Sequence, residues 1–163
     1  MLNSQQNIAL IKGNFPNLAN DKDFRIAEYP CPDFNCIAWA ANKRDVFWEP
    51  LPEDKRPLTH LDGASHDWPF DLPNDNSKSV LVNLFEILGY EKCLDEHYED
   101  GFKKVALYGT DLKFTHAARQ LVAKKGIWTS KLGKSFMIEH GSPFSVEGNI
   151  YGKVYQFMKK SMR

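Results

Sequence analysis

The sequence predicts an α+β fold, with helices in the first part of the chain and an antiparallel β-meander in the last part. Capped, apolar helical patterns end at Gly89, and alternating strand patterns begin near Lys103. The chain has 163 residues, of which 42% are hydrophobic and 26% are charged, and this is enough for one hydrophobic core. We therefore expect residues 1–163 to form a single folded domain.

Helices are predicted at three places in the first part of the chain. Residues 5–12 form the first, and the apolar segment 77–89, which starts at a serine and stops at a glycine, forms a buried one. Between them a helix begins near Cys36, because Asp33 or Asn35 can cap it and alanines follow. We expect these helices to pack on the later strands.

Residues 42–76 differ in composition from the rest of the chain. They hold five of the nine prolines and two of the four tryptophans, Trp48 and Trp68. Proline fixes φ and removes a backbone donor, so a regular helix or a central strand is excluded here. We expect an ordered excursion over the core that the two tryptophans hold in place.

Alternating patterns predict four strands in the second half of the chain, at residues 104–108, 115–122, 126–131 and 150–157. A polar turn at residues 123–126 makes the second and third of these a hairpin. Residues 91–100 carry five acids and are predicted to form a solvated connection.

Charge and hydropathy exclude several classes of protein. Lys plus Arg and Asp plus Glu both total 21, so no overall field attracts nucleic acid or an anionic membrane. The apolar runs are far shorter than the ~20 residues of a spanning helix, and the N-terminus lacks the pattern of a signal peptide. We expect a cytoplasmic protein with reduced Cys31, Cys36 and Cys93, while export as an effector without a signal peptide stays open.

Cys36 is the candidate nucleophile. A thiol in the first turn of a helix lies at the positive end of the helix dipole, which favours the thiolate. His116 is the candidate base, because it opens a predicted strand and the small Ala117 and Ala118 let another element approach. The alternative is that Cys36 is a buried core cysteine and His116 an edge residue bonded to a backbone carbonyl.

A third group is needed to hold the imidazole in its working tautomer. Side chains alternate along residues 127–131, so Thr129 and Ser130 lie on opposite faces, and either can face His116. His140 is a more distant candidate for the same role.

Three further residues are candidates for substrate binding. Trp39 follows Cys36 by three positions and lines a substrate cleft or packs in the core. Arg119 and Lys131 bind an anionic substrate group, or they form surface charges or pairs with acids such as Glu139.

A group of potential metal ligands lies in the proline-rich segment. His60, Asp62, His66 and Asp67 fall within eight residues and are of metal-ligand type. No regular element is predicted there to fix their geometry, so a solvated loop is the preferred interpretation. We therefore predict no metal site and no cofactor.

Four segments together resemble a family of uncharacterised bacterial proteins: NCIAWA at residues 35–40, THAARQ at 115–120, WTSKLG at 128–133 and IEH at 138–140. The resemblance extends from about Phe15 to about Phe157. More distantly, a cysteine at a helix start, a histidine at a strand start and a polar position on the next strand are similar to the papain-like superfamily. Its bacterial peptidoglycan amidase branch, of the NlpC type, is the nearest analogue.

This resemblance implies a papain-like α+β fold and a cysteine hydrolase that cleaves a peptide or amide bond through an acyl-enzyme intermediate. It implies Cys36 as nucleophile, His116 as base, and the Cys36 N–H with the Asn35 side chain as the oxyanion site. At the third position that branch usually has His, Asn or Gln, whereas this chain has Thr129 or Ser130.

Two other functions are open alternatives. The first is a non-catalytic protein-binding or immunity-type module on the same fold, which uses the Trp- and Pro-rich excursion to hold a partner protein. The second is a purely structural domain in which the tryptophans only pack. In each case neither nucleic acid nor a membrane is an expected partner.

Overall fold

A seven-stranded antiparallel sheet is the centre of the fold. The structure is a computed structural model that describes residues 1–51 and 65–163, and of the segment between them only the backbone of residues 58–59. The helices are α1 Gln5–Asn14, α2 Cys36–Ala40 and α3 Lys78–Ile87; the strands are β1 Arg25–Glu28, β2 Phe47–Trp48, β3 Leu58–Thr59, β4 Ser65–Asp67, β5 Glu91–Cys93, β6 Phe102–Thr110, β7 Lys113–Gln120, β8 Trp128–Lys131, β9 Met137–His140 and β10 Lys153–Ser161.

The strands of the large sheet lie in the order β1-β9-β8-β7-β6-β10-β5. Every neighbouring pair in this sheet is antiparallel. The α+β class and the antiparallel character predicted from the sequence are confirmed.

Side-chain caps fix where α1 and α2 begin. Ser4 accepts a hydrogen bond from the Asn7 N–H, and Asn35 accepts one from the Ala38 N–H. Of the two caps considered for the second helix, Asn35 is therefore the one used. Because α2 has only five residues, all buried, its contacts with β7 and β8 stabilise it more than its own propensity does. None of the helices in the described ranges is long and apolar enough to cross a membrane.

Both faces of the large sheet are covered. Val105, Leu107 and Ala117 point to one face, which α2 and α3 cover and which we call the α2/α3 face. Ala106 and Tyr108 point to the other, which α1 covers and which we call the α1 face. Residues paired across neighbouring strands share a face, so the strand register assigns the remaining side chains.

The proline-rich segment carries a small sheet with the order β2-β4-β3, in which β2 and β4 are parallel. Trp48 and Trp68 are buried, with 5% and 1% of their surface exposed. The Asn35 side chain joins this sheet to α2, because it donates to the Trp48 carbonyl and accepts from the Trp48 N–H. The two tryptophans thus hold the described part of this segment against the core.

Several segments differ from the sequence prediction. Residues 42–76 do contain a central strand, because β4 lies between β2 and β3 and itself holds no proline. Residues 91–100 are not only a solvated connection: they begin with β5, and two of their acids bind Lys104, whose side chain is 1% exposed. Strand β9 is absent from the prediction. All of its residues are buried, so it lacks the polar alternation by which a half-exposed strand is recognised.

The Asn3 side chain covers the outer edge of β1. It donates to the Ile26 carbonyl at 2.9 Å and accepts from the Ile26 N–H at 2.8 Å. The two backbone groups of Ile26 that point away from β9 are thereby satisfied.

Candidate functional site

Cys36 is the first residue of α2 and packs on the α2/α3 face of the sheet. It is buried, with 8% of its surface exposed. Burial raises the pKa of the Cys36 thiol to about 11, and the Ala117 N–H and the Lys131 charge offset this only in part. The thiol is therefore protonated at neutral pH, although its place at a helix start predicts a thiolate.

His116 lies on the α1 face, where it pairs with Tyr108 of the neighbouring strand. Its ring is completely buried and stacks on Tyr151, with the ring centroids 3.9 Å apart. Burial lowers the pKa of His116 well below its usual value. No hydrogen bond joins the Cys36 sulfur to either ring nitrogen, and the dyad stays a prediction.

Ser130 links His116 to His140. The Ser130 Oγ lies 2.9 Å from His116 Nε2 and 2.8 Å from His140 Nε2, and all three residues are completely buried. Of the two hydroxyls considered for this role, Ser130 faces His116, and Thr129 lies on the α2/α3 face.

The proton positions along the hydrogen-bonded chain of His116, Ser130 and His140 follow from its last acceptor, a backbone carbonyl. His140 Nδ1 lies 2.8 Å from the Ser142 carbonyl and must donate to it, while burial lowers the pKa of His140 to about 4 and leaves Nε2 unprotonated at neutral pH. The Ser130 hydroxyl then donates to His140 and accepts from His116 Nε2. His116 Nδ1 is left with a bare lone pair and no hydrogen-bond partner.

Tyr151 lines a surface cavity and also contacts the histidine chain. The cavity has a volume of about 290 Å³ and is lined by Phe15 of the α1 region, Phe136 and Tyr151, among others. The Tyr151 ring also stacks on His116, so this one residue contacts both the cavity and the imidazole.

Asn35 and Lys131, two of the predicted substrate-binding residues, are engaged in structural contacts. The Asn35 side-chain amide donates from Nδ2 to the Trp48 carbonyl at 2.7 Å, so this hydrogen bond competes with the predicted role as oxyanion donor. Lys131 Nζ donates to the carbonyls of Cys31 and Gly133, at 2.7 and 2.6 Å. Burial lowers the pKa of Lys131 to about 8.

Trp39, Thr129 and Arg119 form a connected group on the α2/α3 face. Trp39 Nε1 donates to Thr129 Oγ1 at 2.9 Å, and the Thr129 hydroxyl donates to the Arg119 carbonyl at 2.8 Å. The Arg119 guanidinium lies over the Trp39 ring, with Cζ 4.5 Å from the ring centroid, while its buried Nη1 has no hydrogen-bond partner. Glu139, the acid considered as a partner, instead binds Arg25 and Lys124.

Lys103 and Lys160 lie beside Arg119, and neither is among the site residues predicted from the sequence. Lys103 pairs with Lys160 across β6 and β10, and Arg119 pairs with Val105, two residues further along β6. Burial and the charges of Lys160 and Arg119 lower the pKa of Lys103. Each lysine belongs to a Lys-Lys dipeptide, so only the strand pairing shows which lysines share a face.

The predicted absence of a metal site stays a prediction for the whole chain. His60 and Asp62 lie outside the described residues. His66 Nδ1 lies 2.6 Å from Glu49 Oε1. In the part of the chain that the structure describes, no three potential metal ligands come together.

The fold and the site define a class of α+β domain. A short helix that begins at a cysteine packs on one face of an antiparallel sheet, and a buried histidine chain lies on the other. Residues 26–159 match a family described as a domain of unknown function (DUF7689), and the chain belongs to that family. No curated protein and no solved structure matches the chain.

Proposed function

We propose that this domain is a non-catalytic, cytoplasmic protein-binding module. The observation that carries the proposal is the state of Cys36: burial raises the pKa of its thiol to about 11, and its sulfur has no hydrogen bond to His116. A cysteine nucleophile needs an accessible thiolate, which this environment disfavours. Three free cysteines in the described residues also suit a reducing compartment.

Phe70 is a candidate contact residue of the module. The residue is 47% exposed, and it stands at φ 61° in a turn closed by a hydrogen bond from the Leu72 N–H to the Pro69 carbonyl. The next residue, Asp71, also has a positive φ of 53°. A bulky residue in the left-handed region is strained, and such strain is common where a side chain is held out for binding. Trp48 and Trp68, by contrast, are packed in the core.

A cysteine hydrolase with a papain-like fold is the second candidate function, and the His116 ring favours it. Its Nδ1 carries a bare lone pair, which is what a general base needs, and Ser130 holds the ring in that tautomer. In this function the Cys36 thiol gives its proton to Nδ1 and attacks a peptide or amide carbonyl, with its backbone N–H at the oxyanion.

Thiol labelling distinguishes the two functions. We expect iodoacetamide at about pH 7 to label the half-buried Cys31 and Cys93 before Cys36. His116→Ala should leave this order unchanged, as should the control His97→Ala, which alters an exposed histidine. Selective labelling of Cys36 that His116→Ala abolishes and His97→Ala does not would overturn the binding module in favour of the hydrolase.

Partner binding is tested with the immobilised domain and its Cys36→Ser and Phe70→Asn variants. We expect Cys36→Ser to retain the partner and Phe70→Asn to lose it. Asparagine tolerates a positive φ, so Phe70→Asn relieves backbone strain while it removes the edge contact of the Phe70 ring with Trp48. Loss of the partner in Cys36→Ser with an unchanged melting temperature would count against the module.

A further inference from the structure

Three cations form a row on the α2/α3 face, across β10, β6 and β7. Lys160 and Lys103 lie directly opposite each other, and Arg119 is the diagonal neighbour of Lys103 on the next strand. Like charges placed opposite each other destabilise a sheet. In the part of the chain that the structure describes, none of the three forms an ion pair with an acid.

Lys160 has a structural role that explains its position. Its Nζ donates to the Leu88 carbonyl at 2.6 Å, at the C-terminal end of α3. A cation there interacts favourably with the helix dipole and satisfies a free carbonyl. The charge of Lys160 is therefore accounted for by the fold, whereas the charges of Lys103 and Arg119 are not.

Arg119 is held in place without an acidic partner. Its guanidinium lies over the Trp39 ring, and the indole N–H of Trp39 donates to the Thr129 hydroxyl. The fork offers five N–H donors, and within the described residues none of them makes a hydrogen bond. A buried, unsatisfied donor is unfavourable unless something outside the chain accepts from it. Arg44, which also faces Trp39, is different because Glu28 binds it at 2.6 Å.

We propose that Arg119 and Lys103 form a site for the carboxylates of an acidic segment of a partner protein. This inference rests on the proposed function as a binding module. A guanidinium donates two parallel hydrogen bonds to one carboxylate, and the neighbouring lysine binds a second carboxylate as a point charge. The Trp39 ring covers one side of the fork and strengthens the pair by excluding water.

The surroundings favour carboxylates over a phosphate dianion. The C-terminal end of α3, at the Leu88 carbonyl, lies beside Lys160 and is the negative end of the helix dipole. Buried Tyr90 closes the same side, with its ring centroid 6.0 Å from Lys160 Nζ. Two separate single charges fit this environment better than one concentrated double charge.

The site is tested by fluorescence anisotropy with a labelled hexaglutamate peptide, with hexaglutamine as the uncharged control. We expect hexaglutamate to bind and added salt to weaken it. Arg119→Met should weaken binding by about tenfold or more, Arg119→Lys nearly as much because the fork is lost, and Lys103→Met by several-fold. Lys153→Met, which removes an exposed lysine at the other end of β10, is the matched control and should change nothing.

Two results would overturn the site. Equal affinity for the two peptides, or unchanged hexaglutamate affinity in Arg119→Met, would show that Arg119 does not bind carboxylates. Displacement of hexaglutamate by equimolar inorganic phosphate would show a phosphate site instead. Melting curves confirm that each variant is folded. Thiol labelling of Cys36 is a separate measurement. If hexaglutamate does not bind, the proposal of a binding module still holds. If labelling favours the hydrolase, the measured affinity for hexaglutamate is unchanged.

Discussion

The two faces of the large sheet differ in how their paired lysines are neutralised. On the α1 face, Lys104 and Lys159 lie opposite each other, and Glu99 binds both, at 3.0 and 3.1 Å. On the α2/α3 face, Lys103 and Lys160 occupy the adjacent positions of the same strands, and neither binds an acid within the described ranges.

This difference separates charges that stabilise the fold from charges that are free for a ligand. A sequence selected for stability alone would neutralise the second lysine pair as it neutralises the first. Chains keep such unfavourable groups where function requires them. We therefore expect changes on the α1 face to lower stability, and changes of the free cations to lower binding without lowering stability.

Acidification should produce the largest effect, because the buried polar groups of the α1 face include two histidines. Burial lowers the pKa of His140 to about 4 and that of His116 well below its usual value, so both are neutral in the folded protein. The unfolded chain takes up these protons below about pH 6.5, so stability that is present at neutral pH is lost as the pH falls.

We expect a loss of about 2 kcal/mol per histidine between neutral pH and about pH 5. Urea unfolding followed by tryptophan fluorescence measures it. Equal free energies of unfolding at the two pH values would contradict a neutral, buried histidine chain.

Ser130→Ala should lower stability next most strongly. It removes the hydroxyl that joins His116 to His140 and leaves two buried ring nitrogens without partners. Each costs about 1–2 kcal/mol, so we expect a loss of about 2–4 kcal/mol in urea unfolding. Ser135→Ala, in the turn before β9, is the matched control and should stay within about 0.5 kcal/mol. A similar small change in Ser130→Ala would show that the chain is not stabilising.

The two adjacent lysines of β6 give the smallest and most direct comparison. Lys104→Met should lower the free energy of unfolding by about 1–2 kcal/mol, because a side chain with 1% exposure loses two acidic partners that water partly screens. Lys103→Met should leave stability unchanged or raise it by about 0.5 kcal/mol, because it relieves the repulsion with Lys160. Equal losses in the two variants, measured by urea unfolding, would remove the distinction between the faces.

Local signals in the sequence were sufficient to predict the helix starts and the longer strands. Asn35 and the alanines after it predicted α2, and the alternation at residues 104–108 predicted the centre of β6. These signals act within one turn of helix or a few residues of strand, so they need no knowledge of distant contacts. The fully buried β9 carries no such signal.

The arrangement of the site depends on strand register, which local signals do not contain. The β6–β7 pairing is irregular between Tyr108 and Gly109, next to the position where His116 pairs. A shift of one residue exchanges the faces of a strand, so such an irregularity decides whether His116 points toward α2 or away from it. The free Arg119–Lys103 pair is likewise visible only after β6 and β7 are aligned.

At the outer edge of β1, the amide of Asn3 takes the place that a neighbouring strand would occupy. A second molecule must displace it before it can lengthen the sheet there. The opposite rim ends in the three-residue β5, which offers little backbone to pair with. The sheet is thereby protected from edge-to-edge aggregation, and recognition between this domain and other proteins is left to side chains.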